Sequence, residues 1–203
     1  MDTKKAKGCL LFLVIGIGIS WGIYKCQYAY SYWSDLRDRP WAYNDDENAP
    51  LLVDTWEGSF KDPDNISKTI RLEIYEPVSK EEREKKAGRK WKNRKGIRSK
   101  DKRGFDGNAT VISRLGQENY EIYGSVSKED FHDFSFHFRP EDEKKRILPN
   151  FTLLEGSAGH WEGDVLTITL SFGYNTASGY SHYDSLDPRH DKKVQLTLKR
   201  KTK

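Results

Sequence analysis

The chain carries two different periodicities of apolar residues. Near its start, Gly8 to Tyr24 (GCLLFLVIGIGISWGIY) holds no charge between Lys7 and Lys25. Seventeen residues wound as a helix rise about 25 Å, the lower end of what crosses a hydrocarbon core of about 30 Å. Lys7 and Lys25 extend that reach by carrying their charges out to the headgroup layers. Tyr24, Tyr28, Tyr30, Tyr32 and Trp33 supply the aromatic density that a membrane–water interface selects. From Leu51 onward the period drops to two. Ile70, Leu72 and Ile74 alternate with Thr69, Arg71 and Glu73; Leu166, Ile168, Leu170 and Phe172 with Val165, Thr167, Thr169 and Ser171; Val194, Leu196 and Leu198 with Gln195, Thr197 and Lys199. Such alternation marks strands with one buried and one wet face.

Weaker runs at Asn108–Leu115, Tyr120–Val126, Phe131–Phe138 and Phe151–Leu154, with Thr55–Lys61, bring the expected total to about eight strands. Turn residues separate them, as at Asp62-Pro63-Asp64-Asn65 and Arg139-Pro140-Glu141. The predicted fold class is mainly β: a single N-terminal transmembrane helix followed by an antiparallel up-and-down β-barrel. The predicted divisions are a basic tail (1–7), an anchor with aromatic flank (8–33), a polar linker (34–50) and the barrel domain (51–203) with an insertion at 80–103. Trp56-Glu57-Gly58, Phe105-Asp106-Gly107 and Trp161-Glu162-Gly163 each set an aromatic two residues before a glycine, expected at strand starts.

Trp56-Glu57-Gly58-Ser59-Phe60 resembles the opening strand of the lipocalin-like, or calycin, barrels. The resemblance extends over most of Leu51–Lys203. It implies that a basic residue of the last strand closes the barrel over this tryptophan. Arg200 shares the parity of Val194, Leu196 and Leu198, so Trp56, Gly58 and Arg200 are the expected structural set. The tryptophan precedes the glycine here, where that group has the reverse order, and the domain has no disulfide. The resemblance implies a fold and transfers no ligand.

A cleaved signal peptide is the rival reading of the N-terminus, with Ala29-Tyr30-Ser31 as a small-x-small site. The length of the apolar run and the aromatics after it favour an anchor. Lys4, Lys5 and Lys7 nearly balance Lys25, Arg37 and Arg39 across the membrane. The compact N-terminal cluster favours a C-terminal domain outside the cytoplasm, periplasmic in a bacterium. Cys9 and Cys26 stand a helix length apart and do not pair with each other. Asn65-Ile-Ser, Asn108-Ala-Thr and Asn150-Phe-Thr match the N-glycosylation pattern.

Charge changes the picture in one segment. Lys80 to Arg103 holds thirteen Lys or Arg against four acidic residues, a net of +9 in a chain whose total is +4. Arg89, Lys90, Trp91, Lys92, Arg94, Lys95 and Arg98 are its expected contacts to an anionic surface: lipid headgroups or a cell-envelope polymer. A solvated loop and an acidic protein partner are the other readings. Nucleic acid, with Trp91 stacking, requires a cytoplasmic domain.

Chemistry is sparse. The domain has no cysteine, no Gly-x-Ser-x-Gly elbow and no phosphate-binding glycine loop. His132 is expected to pack with Phe134, Phe136 and Phe138, and His160 to end a turn. Gly173–Lys193 gathers His182, Asp184, Asp187, His190 and Asp191, on which alone a metal or acid–base reading rests. The expected catalytic set, metal set and cofactor are none. The expected function is binding, with Trp56, Phe60, Leu72, Tyr120, Phe134, Phe136 and Trp161 lining the interior. They either fill the barrel or leave an apolar pocket for a lipid-like ligand.

Overall fold

A computed structural model describes residues 3–46, 48–88, 102–179, 181–182 and 187–201, with the side chains of 3–11, 86, 88, 181 and 182 excepted. They form two compact units, one holding the helices and the other the barrel.

In the first unit, helix α1 spans Thr3–Asp38. No proline interrupts it, and Pro40 ends it by disfavouring helical geometry at Arg39. The expected linker is therefore helical as far as Asp38. Phe12, Leu13, Val14 and Ile15 are all exposed, and four successive positions about 100° apart go right round a helix. Among the described residues, no helix is long and apolar enough to cross a membrane. Helix α2, Lys80–Gly88, opens the basic insertion. Ser79 Oγ accepts the Glu82 N–H at 3.2 Å, a first-turn donor otherwise unsatisfied. Arg83 is buried against α1, 3.0 Å from Asp35 and 5.2 Å from the Tyr32 ring.

In the second unit, nine strands follow in chain order: β1 (Thr55–Lys61), β2 (Ser67–Ile74), β3 (Gly104–Ser113), β4 (Gly116–Val126), β5 (Asp133–Pro140), β6 (Asn150–Glu162), β7 (Val165–Asn175), the two-residue β8 (Ser181–His182) and β9 (Val194–Arg200). Each of β1 to β6 pairs antiparallel with the next, β6 with β7, β7 with β9, and β9 with β1. β8 hangs on β7. The result is a closed, up-and-down barrel of eight strands, as the alternation predicts. The main departure is β6, whose thirteen residues far exceed the expected Phe151–Leu154. Two bulges against β7, between Leu153/Glu155 and Ser157/His160, shift its parity and hide the strand from a period-two reading. Trp161 accordingly ends β6 and does not start a strand.

The β1–β2 turn shows how sequence sets geometry. Asp62 Oδ1 accepts from the N–H groups of Asp64 at 3.0 Å and Ile66 at 2.9 Å, while Asn65 takes the left-handed φ of 61° that asparagine tolerates.

Candidate functional site

The end of the barrel where the chain enters β1 is sealed. Trp56 points inward from β1 and is 0% exposed. Arg200, its register partner at the end of β9, lies over the ring at 4.4 Å. The guanidinium donates from Nη1 to Asp54 at 2.7 Å and from Nε to Asp164 at 2.8 Å. Nη2 donates to the carbonyls of Leu51 at 2.7 Å and Gly163 at 3.0 Å. One side chain thus joins the entry segment, the β6–β7 turn and the first strand. Residues 39–52 close the same end: the Trp56 indole donates to the Leu52 carbonyl at 3.0 Å, and buried Trp41 meets Phe105 edge-on at 5.9 Å.

Trp56, Phe60, Leu72, Tyr120, Phe134, Phe136 and Trp161, read from the sequence as the lining, are all buried and pack on one another and their neighbours. Phe105 meets both Phe134 and Phe136 at 6.2 Å, Tyr120 meets Phe138 at 5.7 Å, and Phe60 meets Phe172 at 6.0 Å. Several rings lie over glycines: a Cβ on Gly159 would stand 2.6 Å from the Phe134 ring, and one on Gly124 2.7 Å from Phe105. Gly58 likewise faces Leu198 and the Thr197 carbonyl of β9. Arg89, Lys90, Trp91, Lys92, Arg94, Lys95 and Arg98 lie outside the described residues.

The opposite end is polar to its interior. Lys68 shares the inward parity of Ile70 and Leu72 and is 2% exposed. Its ammonium is 3.2 Å from buried Asp62 and donates to Asn150 Oδ1 at 2.9 Å and the Phe151 carbonyl at 2.6 Å. The Asn150 amide then donates to Glu118 Oε2 at 2.9 Å. Glu118 in turn bonds the Tyr120 phenol. Burial raises the Glu118 pKa above its ordinary value, against the pull of Lys68 and the Asn150 and Tyr120 hydrogen bonds. Burial, reinforced by the Glu118 charge, also pushes the Tyr120 phenol up. Above this chain of contacts opens a recess of about 480 Å³ lined by Gln117–Tyr120 of β4, Pro140–Asp142, Lys145, Arg146 and Thr152.

The long β7–β9 connection also folds at this end. Arg189 pairs with Asp187 at 2.6 Å and Asp64 at 2.7 Å and lies 6.0 Å from the Phe151 ring. The Arg189 guanidinium holds Asp187 at about 2. His190 packs edge-on to Phe151 at 5.5 Å. The side chains of His182 and Asp184 lie outside the described residues. Among the described residues, no group of three or more His, Cys, Asp or Glu is arranged to hold a metal ion. His132 does not join the Phe134–Phe138 row: it precedes β5 in a loop, with Nδ1 2.8 Å from Asp130. His160 bonds Asp133 across the β5–β6 pair at 2.7 Å.

Sequence reasoning missed Lys68, Glu118 and Asn150. The signal was present, since Lys68 and Glu118 occupy the apolar parity of their strands, where a charge is costly unless paired.

No family model matches the chain, and no curated protein matches it. Among solved structures it is similar to a chain described as a de novo design of a fluorescence-activating beta barrel. That match has 11% identity and a TM-score of 0.39 and covers 73% of this chain and 92% of the designed one.

Proposed function

We propose that this chain is a membrane-tethered binding protein. A single-pass anchor holds a lipocalin-like barrel outside the cytoplasm, and the barrel recognises its ligand at its polar end and loops without catalysing a reaction. The observation that carries the binding role is a contrast: packed rings in the middle of the barrel, and a recess of about 480 Å³ at the rim of one end. Ligand pockets run from about 300 to 1,000 Å³. The packed interior argues against a lipid-like ligand threaded through the barrel.

Support for the tether comes from α1. Its apolar side chains from Phe12 to Ile23 are exposed on every face, which in water is costly and in lipid is not. The sequence continues that run back to Gly8. The basic insertion is proposed to meet an anionic surface, lipid headgroup or envelope polymer. The Arg83–Asp35 contact supports this by docking its first helix just beyond the aromatic flank of the anchor.

Reporter fusions at Lys203 and alkaline carbonate extraction test the tether. An exported reporter in the carbonate-resistant membrane fraction is expected. A cytoplasmic reporter, or release by carbonate, overturns it. Titration with a fluorescent fatty acid tests the packed interior: no saturable binding is expected, and stoichiometric binding restores the apolar-carrier reading.

A further inference from the structure

This inference rests on the reading of the polar end as the binding surface and deepens it. We propose that the recess binds a small organic cation, with an ammonium group seated against the Glu118 carboxylate and Glu141 at the exposed edge.

The charges of the lining select this ligand. Both basic groups there are already engaged: Lys145 lies 3.6 Å from Asp142, and Arg146 donates to Glu143 at 2.6 Å and to Asn175 at 3.5 Å. Lys68, beneath the recess, is held by Asp62, Asn150 and the Phe151 carbonyl. Glu118 and Glu141 are in no ion pair among the described residues. Glu118 is also 8% exposed and aligned by the Asn150 amide, so its position is set before a ligand arrives. A buried carboxylate costs several kcal/mol unless a cation meets it, and burial outweighs the neighbours it has. Lys68 and Arg146 already attract the Glu118 charge, and an incoming ammonium adds a direct charge-assisted hydrogen bond that neither makes. Tyr120 and Pro140 give the recess a less polar wall, and Gln117, Asn119 and Thr152 offer further acceptors. That combination suits an aliphatic amine of a few carbons better than a bare metal ion or an acid.

The test is amide-detected NMR titration of the 203-residue chain in detergent micelles at neutral pH. The probes are n-butylammonium, butyrate and the blocked tripeptide acetyl-Gly-Lys-Gly-amide. Saturable shifts at the Asn150 side-chain amide and Asn119 N–H are expected with n-butylammonium. Glu118→Gln should weaken binding about tenfold or more, as loss of a charge-assisted bond does; it keeps an acceptor for Asn150 and removes a buried charge, so the fold is retained. Glu141→Gln, at an exposed site, should weaken it less. Equal binding of the tripeptide identifies a lysine side chain of a protein as the ligand, and its exclusion identifies a free amine; both support the cation. Tighter binding of butyrate overturns the cation and keeps the polar end as the site. Butylammonium shifts indifferent to both variants, or no shifts with any probe, overturn the inference; the extraction and fatty-acid experiments test the wider reading separately.

Discussion

At the scale of single residues, the barrel holds charges in two different ways. Arg200 stays partly solvated while every donor nitrogen finds an acceptor and its flat face covers Trp56. Cation–π contacts contribute about 0.5–2 kcal/mol. With the lost ion pairs, Arg200→Ala should lower unfolding stability by about 2–4 kcal/mol, read from denaturant midpoints at unchanged slope. Lys68 is held more deeply. Lys68→Ala leaves Asp62 buried without its cation and should cost about 3–5 kcal/mol. Lys68→Met in an Asp62→Asn background should cost much less than the two single changes added together, a coupling that a double-mutant cycle measures. Glu118 supplies the pH signature. Its pKa is raised in the fold above 4.5, so the folded state binds the proton more tightly than the unfolded chain. Its contribution is therefore fully present below about 4.5 and is lost as pH rises through the folded pKa. The difference in unfolding stability between the chain and Glu118→Gln should shift in the variant's favour across that window. A parallel pH profile for the two would refute the buried assignment.

At the scale of elements, strands with unbroken parity were legible and those with bulges were not. β1 and β9 follow from Trp56, Phe60, Leu196 and Leu198 alone. Arg200 lies over the Trp56 ring at the end of β9. β6 did not follow, because each bulge resets which face a residue takes. The polar end was only half legible. Lys68 and Glu118 stand at the apolar parity of their strands, but their bridging by Asn150, far along the chain, is seen only in the fold. Three-dimensional pairing of that kind has no local signature. The rings over glycines carry the element-scale prediction. Gly159→Ala sets a methyl against the Phe134 ring, and Gly124→Ala sets one against the Ser135 carbonyl and Phe136 Cβ as well as Phe105; each should cost at least about 1–3 kcal/mol by overpacking. A thermal shift of a few degrees would register it. Gly163→Ala meets no neighbouring atom, but its φ of 56° penalises a side chain, so a smaller loss is expected there.

At the scale of the whole molecule, the contrast is between a helical unit whose α1 exposes apolar residues and a barrel whose middle holds buried aromatic and aliphatic side chains. Periodicity and charge picked out the apolar run and the basic insertion as segments, but not that 78–100 groups with the helix and 39–50 with the barrel, because that grouping depends on contacts far apart in the chain. The recess was not readable either, since it exists only where β4, β6 and the β5–β6 connection meet. A molecule-scale consequence can be measured on the intact chain. If α1 is held in lipid, the detergent-solubilised protein should aggregate on detergent removal and remain dispersed in lipid nanodiscs. Stable monomers in plain buffer would contradict the tether.

The Arg200 cluster has a mechanical consequence. β1 meets β9 over a short register, Trp56↔Arg200 and Glu57↔Lys199, whereas β1 meets β2 from Thr55↔Glu73 to Lys61↔Ser67. The barrel therefore has one short seam, between its first and last strands. A pull arriving along the chain from α1 first meets the buried 39–52 segment, where Trp41 packs on Phe105, and only then Leu51, Asp54 and the seam. The guanidinium that ties Leu51 and Asp54 to Gly163 and Asp164 lies across the path of the pull. It acts as a rivet that passes tension into the β6–β7 turn before the seam can unzip.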